Sequence, residues 1–320
     1  MRTLSPSSSA KVAGRTIPLA LFGMPLGLAG LAGAWTATVA LGAPVWPAEV
    51  LYAASSALWL ILGALYFSGG LRRRGTFRAD VTHPVGGPFV AVIPLIAVLL
   101  AAHYTKYDFT VFGWICGAAI AALAVVMARL IAHWLNGGVE LASLHGGYFI
   151  PVVAGPNVAS IGFSTLGMHD AAIASVGAGI FFWIAITAAM IVRMVSGADV
   201  PVALKPGTAG FLAATATTNL AWLLAHPTAV DTTQQMLTGV LVIMLLVQGF
   251  LITEYGKLRF GQSWWIFTFP LASTANYALH WLDLTRVAGW QFWSWLVLAV
   301  VTAFVLYVAA RTVSRAVRPA

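Results

Sequence analysis

The chain has 320 residues, of which 60% are hydrophobic and only 8% charged, with a net charge of +8 and a mean hydropathy of +0.89. Soluble domains carry about 25% charged residues, so this composition excludes a water-soluble fold and leaves no stretch for a separate soluble domain. Spanning strands would need roughly ten-residue alternating segments; none is visible, and the composition points to an all-α integral membrane protein.

The polar opening MRTLSPSSS reads as part of a short tail over residues 1–14. Ten apolar runs follow, at about 17–38, 48–68, 86–104, 109–133, 148–166, 171–194, 205–225, 232–253, 263–282 and 290–311. Residues 15–312 form one transmembrane domain on this reading, and 313–320 a second tail. The first run, with Lys11 and Arg15 ahead of it, resembles a signal peptide. It is long for one and holds two prolines and the glycines Gly23, Gly27, Gly30 and Gly33, which suit a packed, uncleaved helix better.

Every proline inside a run falls on an odd-numbered one: Pro18 and Pro25, Pro88 and Pro94, Pro151 and Pro156, Pro206, and Pro270. Proline removes a backbone donor and frees a carbonyl one turn back. In lipid those groups need protein or cavity water as partners. Broken helices therefore belong beside a pathway and straight ones beside lipid. The expected architecture is five helical hairpins, with odd helices lining a central pore and even helices outside.

Basic residues set the orientation. With the N-terminus cytoplasmic, only Lys106 and Arg286 fall outside, and both termini lie in the cytoplasm. Glu49, Asp108, Asp170, Asp231 and Asp283 fall one per outer connection. The cluster Arg72, Arg73, Arg74 and Arg78 at the cytoplasmic mouth reads first as a topology determinant or lipid-headgroup contact, and second as a field that concentrates anions. Arg129 and Arg193 sit at span ends, where long side chains snorkel to the interface.

No ionisable side chain lies near the middle of a run, which disfavours a proton relay or a carboxylate-lined cation path. The polar groups on odd runs are small: Asn157 and Ser160, Thr215 and Thr218, Thr268, Ser273 and Asn276. Hydroxyls and amides can donate to a partly dehydrated anion without holding it. The competing reading is interhelical bonding or back-bonding to helix carbonyls. Phe269, before Pro270, is either a core ring or a plug in a narrow tube. The lone Cys116 excludes an intramolecular disulfide. No HExxH, P-loop or GxSxG motif occurs, so neither metal nor cofactor nor enzymatic activity is expected.

The stretches GMPLGLAGLAGAW at 23–35, HPVGGPFVAVIPL at 83–95, YFIPVVAGPNVAS at 148–160 and FTFPLASTAN at 267–276 resemble the tellurite-resistance/dicarboxylate transporter family. That family takes in bacterial tellurite-resistance proteins, yeast malate and sulfite transporters and plant slow anion channels. The resemblance covers roughly 15–312. It implies a homotrimer in the bacterial inner membrane with a pore in each subunit. Pro25, Pro94, Pro151 and Pro270 match kink positions, Gly27 joins the pore-lining candidates, and Phe269 matches the occluding phenylalanine. Pro206 departs from the pattern, lying at the start of its run. The implied partners are small anions (chloride, nitrate, sulfite, tellurite or dicarboxylate) and membrane lipid, with no nucleic acid. Passive permeation is the leading expectation, and a proton-coupled carrier, with His145 or His280 as relay, is the alternative.

Overall fold

A computed structural model describes residues 17–71, 76–196, 202–227 and 230–317. Arg72, Arg73, Arg74 and the tail 1–14 lie outside the described residues. Eleven α-helices occur among those described: α1 (Gly23–Ala37), α2 (Trp46–Leu71), α3 (Thr76–Thr82), α4 (Val92–Tyr104), α5 (Phe109–Leu135), α6 (Gly155–Thr165), α7 (His169–Val195), α8 (Ala209–Ala225), α9 (Thr232–Gly256), α10 (Thr268–Thr285) and α11 (Trp290–Val317). No strand is present among the described residues. Each apolar run of the sequence is helical, and α3 is a short addition between the second and third. The last helix continues through Val317, beyond the boundary expected at 312.

Seven helical stretches are long and apolar enough to cross a membrane by length and composition. The runs containing α6, α8 and α10 fall short of that standard. Each of these three begins in a non-α turn, and each carries amide and hydroxyl side chains.

The odd runs share one construction. Leu19–Phe22, Gly87–Ala91 and Gln262–Phe267 are tight 3-10 turns that pass into α1, α4 and α10. Pro25, Pro94 and Pro270 are each the third residue of the α-helix that follows. In the fifth run a π-turn, Ile150–Ala154, holds Pro151, and Pro156 is the second residue of α6. A proline in the first turn has no intrahelical partner to lose. These prolines therefore mark where an α-helix restarts, and no hydrogen-bond ladder is broken inside one. Pro206 lies within the 3-10 stretch Val202–Thr208, and α8 beyond it holds no proline.

α1 packs on α4, α4 on α6, α6 on α8, α8 on α10, and α10 back on α1, closing a ring. α2, α5, α7, α9 and α11 lie against its outside. Of the candidate spans, Gly87–Tyr104 is 67% buried within the chain and Thr232–Gly256 only 6%. α9 therefore leaves most of its apolar surface uncovered by the rest of the chain. Without a hydrophobic drive between helices in lipid, close approach needs small residues. The α1 glycines supply it: a Cβ at Gly27 would sit 2.0 Å from Thr268 Oγ1, and one at Gly33 2.7 Å from Asn276 Nδ2. Ser55 and Trp59 of α2 tie the ring from outside, donating to the Pro25 carbonyl at 2.7 Å and the Ile93 carbonyl at 2.9 Å.

The acids at connections have a local cause. Asp108 and Asp231 accept from the amides of Val111 and Gln234 as N-caps of α5 and α9, while Glu49 and Asp170 lie in the first turns of α2 and α7. Carboxylates there satisfy free N–H groups and oppose the helix dipole. We call this the acidic end of the bundle, and the other the basic end. Arg193 is a correction to the snorkelling expectation. It is 2% exposed, and its guanidinium donates to the Ala142 carbonyl at 3.4 Å. Arg129 is exposed as expected.

A buried amide network joins α8, α9 and α10. Gln234 Nε2 donates to Asn219 Oδ1 at 2.8 Å and to the Tyr277 hydroxyl at 3.0 Å, while Asn219 Nδ2 donates to the Leu237 carbonyl at 3.0 Å. Gln234→Leu leaves the Asn219 oxygen only a long contact from Thr238 Oγ1 at 3.5 Å, so it lowers stability by about 1–3 kcal/mol. Thermal unfolding in detergent measures this.

Candidate functional site

The ring encloses two cavities. The first, of about 60 Å³, lies at the basic end, with Gly23, Gly146, Gly147, Gly207 and Gly210 in its wall. The second, of about 330 Å³, opens toward the acidic end, and Thr36, His103, Lys106, Thr217, Asn276 and His280 line it. Phe269 lines both. Its side chain stands in the first turn of α10, 8% exposed, beside Gly30 of α1. A Cβ on Gly30 would lie 3.2 Å from the ring, so the absent side chain is what seats it.

The glycine wall follows from backbone contact. A Cβ on Gly146 would come within 1.6 Å of the Gly207 carbonyl oxygen, and one on Gly210 within 2.4 Å of the Gly146 oxygen. His145 holds the Gly146–Tyr148 turn in place. Its Nδ1 accepts from the Gly147 amide at 3.1 Å and its Nε2 lies 3.1 Å from the Val85 carbonyl, while the Tyr148 hydroxyl donates to the Pro84 carbonyl at 2.7 Å. Only the neutral ring with hydrogen on Nε2 serves both partners. Burial, with nearby Arg193, pushes the imidazole down to about 4 against the hydrogen bond to Val85.

Between about pH 6.5 and 4 the unfolded chain therefore binds a proton that the folded chain refuses, and stability falls as pH falls. The loss from pH 7.5 to 4.5 should be about 2.5 kcal/mol. His145→Gln should flatten that part of the pH–stability curve, read from detergent melts.

The remaining candidate residues fall into two groups. Ser273 and Asn276 line the acidic-end cavity with Phe269. Asn276 Oδ1 is buried without a partner among the described residues. The others are placed in helix seams. Asn157 Nδ2 donates to Thr218 Oγ1 at 2.8 Å, while its Oδ1 has no partner among the described residues and faces Gly179 of α7. Ser160 is fully buried, with an unpartnered hydroxyl. Gly27 faces Thr268. Arg78 is exposed on α3, away from both cavities.

Of the two readings of the hydroxyls, the bonds follow back-bonding to the helix. Thr215, Thr217, Thr218, Thr268 and Ser273 give their protons to carbonyls three or four residues back, at 2.7–2.9 Å. They therefore turn lone pairs outward. The other donor groups that line the acidic-end cavity include Asn276 Nδ2, the Tyr52 hydroxyl, Lys106 and the two histidines. Sequence pattern missed Thr36, His103 and Lys106, because each lies at a run end, where an interfacial role is the default. Among the described residues no carboxylate lines either cavity. Glu49 stands just behind, paired with Lys106 and His103, and accepts from the Tyr107 hydroxyl at 2.8 Å.

The comparisons agree with the geometry. The family model described as SLAC1, voltage-dependent anion channel, matches residues 16–313. The chain is 30% identical over 276 residues to the tellurite resistance protein TehA homolog of Haemophilus influenzae, across 82% of this chain and 80% of that one. It is 20% identical over 317 residues to the S-type anion channel SLAH3 of Arabidopsis thaliana, across 93% of this chain and 48% of that protein. A multi-pass helical chain whose proline-broken segments ring two cavities, matched over nearly its whole length, belongs to the voltage-dependent anion channel family.

Proposed function

We propose that this chain is a passive channel for small anions, with Phe269 as its gate. The reading places ten membrane crossings as five hairpins, odd segments lining the pore and even ones facing lipid, both termini cytoplasmic, in a bacterial inner membrane and as a homotrimer. The observation that carries it is the place of Phe269: one ring is the shared wall of two otherwise separate cavities, and no carboxylate among the described residues lines either. An apolar plug blocks by sterics and dewetting. Asn276 and the Glu49-paired Lys106 in the larger cavity offer donors to an anion without a deep well to trap it.

The test is the reversal potential in planar bilayers. Under a tenfold chloride gradient it should follow the anion, and replacing potassium with a large organic cation should leave it unmoved. A reversal potential that follows the cation overturns the reading. The second reading, a proton-coupled carrier of sulfite or dicarboxylate, is favoured by His103 and His280 in the acidic-end cavity. It requires that a pH gradient alone drive anion uptake into vesicles.

A further inference from the structure

A third cavity lies outside the ring. α9 and α11 stand apart over α8 and α10, leaving a groove of about 460 Å³. Its floor and walls include Leu212 of α8, Leu245 and Gly249 of α9, Pro270 and Leu271 of α10, and Phe304 of α11. All are apolar. Polarity appears at one end only. There the Tyr255 hydroxyl donates to Gln248 Oε1 at 2.7 Å and meets Thr208 Oγ1 at 2.8 Å. Just beyond that end, Lys205 and Lys257 both pair with the single carboxylate of Glu254, Lys205 at 3.6 Å. Two ammonium groups on one carboxylate leave an excess positive charge at the mouth.

We propose that the groove is a binding site for an anionic phospholipid of the leaflet at the basic end, one acyl chain lying along Leu245 and Gly249 and the headgroup phosphate on Lys205 and Lys257. The fit is one of chemistry in sequence: hydrocarbon walls, then an amide–hydroxyl patch at ester depth, then cations at headgroup depth. A lipid chain removed from the bilayer gains little from apolar contact alone, so the preference comes from the mouth, where each lysine near an anionic surface contributes. The occupant touches Pro270, the residue after Phe269, from the lipid side. It therefore bears on the turn that holds the ring between the two cavities, and this consequence rests on the gating reading above.

Gly249 offers the test, since a Cβ there meets nothing within 4 Å. Gly249→Phe fills the groove without a backbone clash. Delipidated protein in detergent is titrated with phosphatidylglycerol and, separately, phosphatidylethanolamine, and bound lipid is counted by native mass spectrometry. The wild type should retain one phosphatidylglycerol per chain more tightly than phosphatidylethanolamine. Gly249→Phe should lose that lipid. Lys205→Gln with Lys257→Gln should weaken phosphatidylglycerol by roughly fivefold or more per lysine and leave phosphatidylethanolamine unchanged.

Equal retention by wild type and Gly249→Phe overturns the proposal. So does a shift of Gly249→Phe to a smaller assembly, which would give the groove to a second copy of the chain. Anion flux in vesicles of graded phosphatidylglycerol content is the second readout. It should depend on that content in the wild type and not in Gly249→Phe. Lipid counts that hold while no variant conducts would sink the channel reading and leave the lipid site standing.

Discussion

Phe269→Ala should raise anion conductance by roughly a hundredfold, the change expected when about 3 kcal/mol leaves a barrier. The reason is geometric. The ring is the partition between a 60 Å³ and a 330 Å³ cavity, so truncating it joins two existing spaces and requires no helix to move. The void left behind is bordered by Gly30 and Ala272, which are too small to close it. A water column through the gap removes the dewetting barrier. The reversal potential should not change, because the groups that bias the path toward anions lie elsewhere. Single-channel recording in bilayers reads both quantities. Conductance equal to wild type, with normal folding, would remove Phe269 from the gating role. Phe269→Leu should fall between the two, since an aliphatic side chain narrows the gap without spanning it.

Gly146→Ala should be the most damaging alanine substitution among the described glycines. Its Cβ would lie 1.6 Å from a carbonyl oxygen of Gly207 and 2.5 Å from the carbonyl carbon, both backbone atoms. No rotamer change relieves such a contact, so the turn at Gly146–Tyr148 must separate from the 3-10 stretch before α8. That opens the wall of the smaller cavity and disturbs the His145 and Tyr148 bonds to residues 84–85. A cost above about 3 kcal/mol is expected, beyond the ordinary range for overpacking. Gly63→Ala is the matched control. It lies in α2 with open space around its Cβ, and replacing a helical glycine there should gain about 0.5–1 kcal/mol. Thermal unfolding of both variants in detergent separates a packing effect from any general intolerance of change.

Much of this architecture is legible in the residue order because lipid leaves the backbone few options. Proline parity splits the runs into two sets, and among the helices described α1, α4, α6, α8 and α10 contact one another in sequence; that this set lines a pore is part of the proposal above. The sequence did not disclose how the prolines act. A proline in the third position of a helix and one in its middle look alike in a string, and only the preceding 3-10 turn tells them apart. Side-chain direction was harder still. Asn157, Thr215 and Thr218 have the polarity of pore groups, yet they knit α6 to α8 or bond to their own helix. A helix in a ring has a lumenal face and two seam faces, and a residue type does not say which it occupies. Lys106 was legible only as an outer loop cation, since its place at a cavity depends on how the turn at Thr105–Asp108 sets it against Glu49 of α2.

The two chambers are unequal in size and in kind: one is small and walled by glycine backbone, the other is roomy and studded with an ammonium, imidazoles and an amide. If Phe269 gates a pore as proposed, a bulky organic anion entering from the roomy side should lodge against the phenyl partition, while the same molecule from the opposite face should find no berth. Block by oversized anions should then depend on the side of addition and on the sign of the voltage, which two-sided addition in bilayer recording measures.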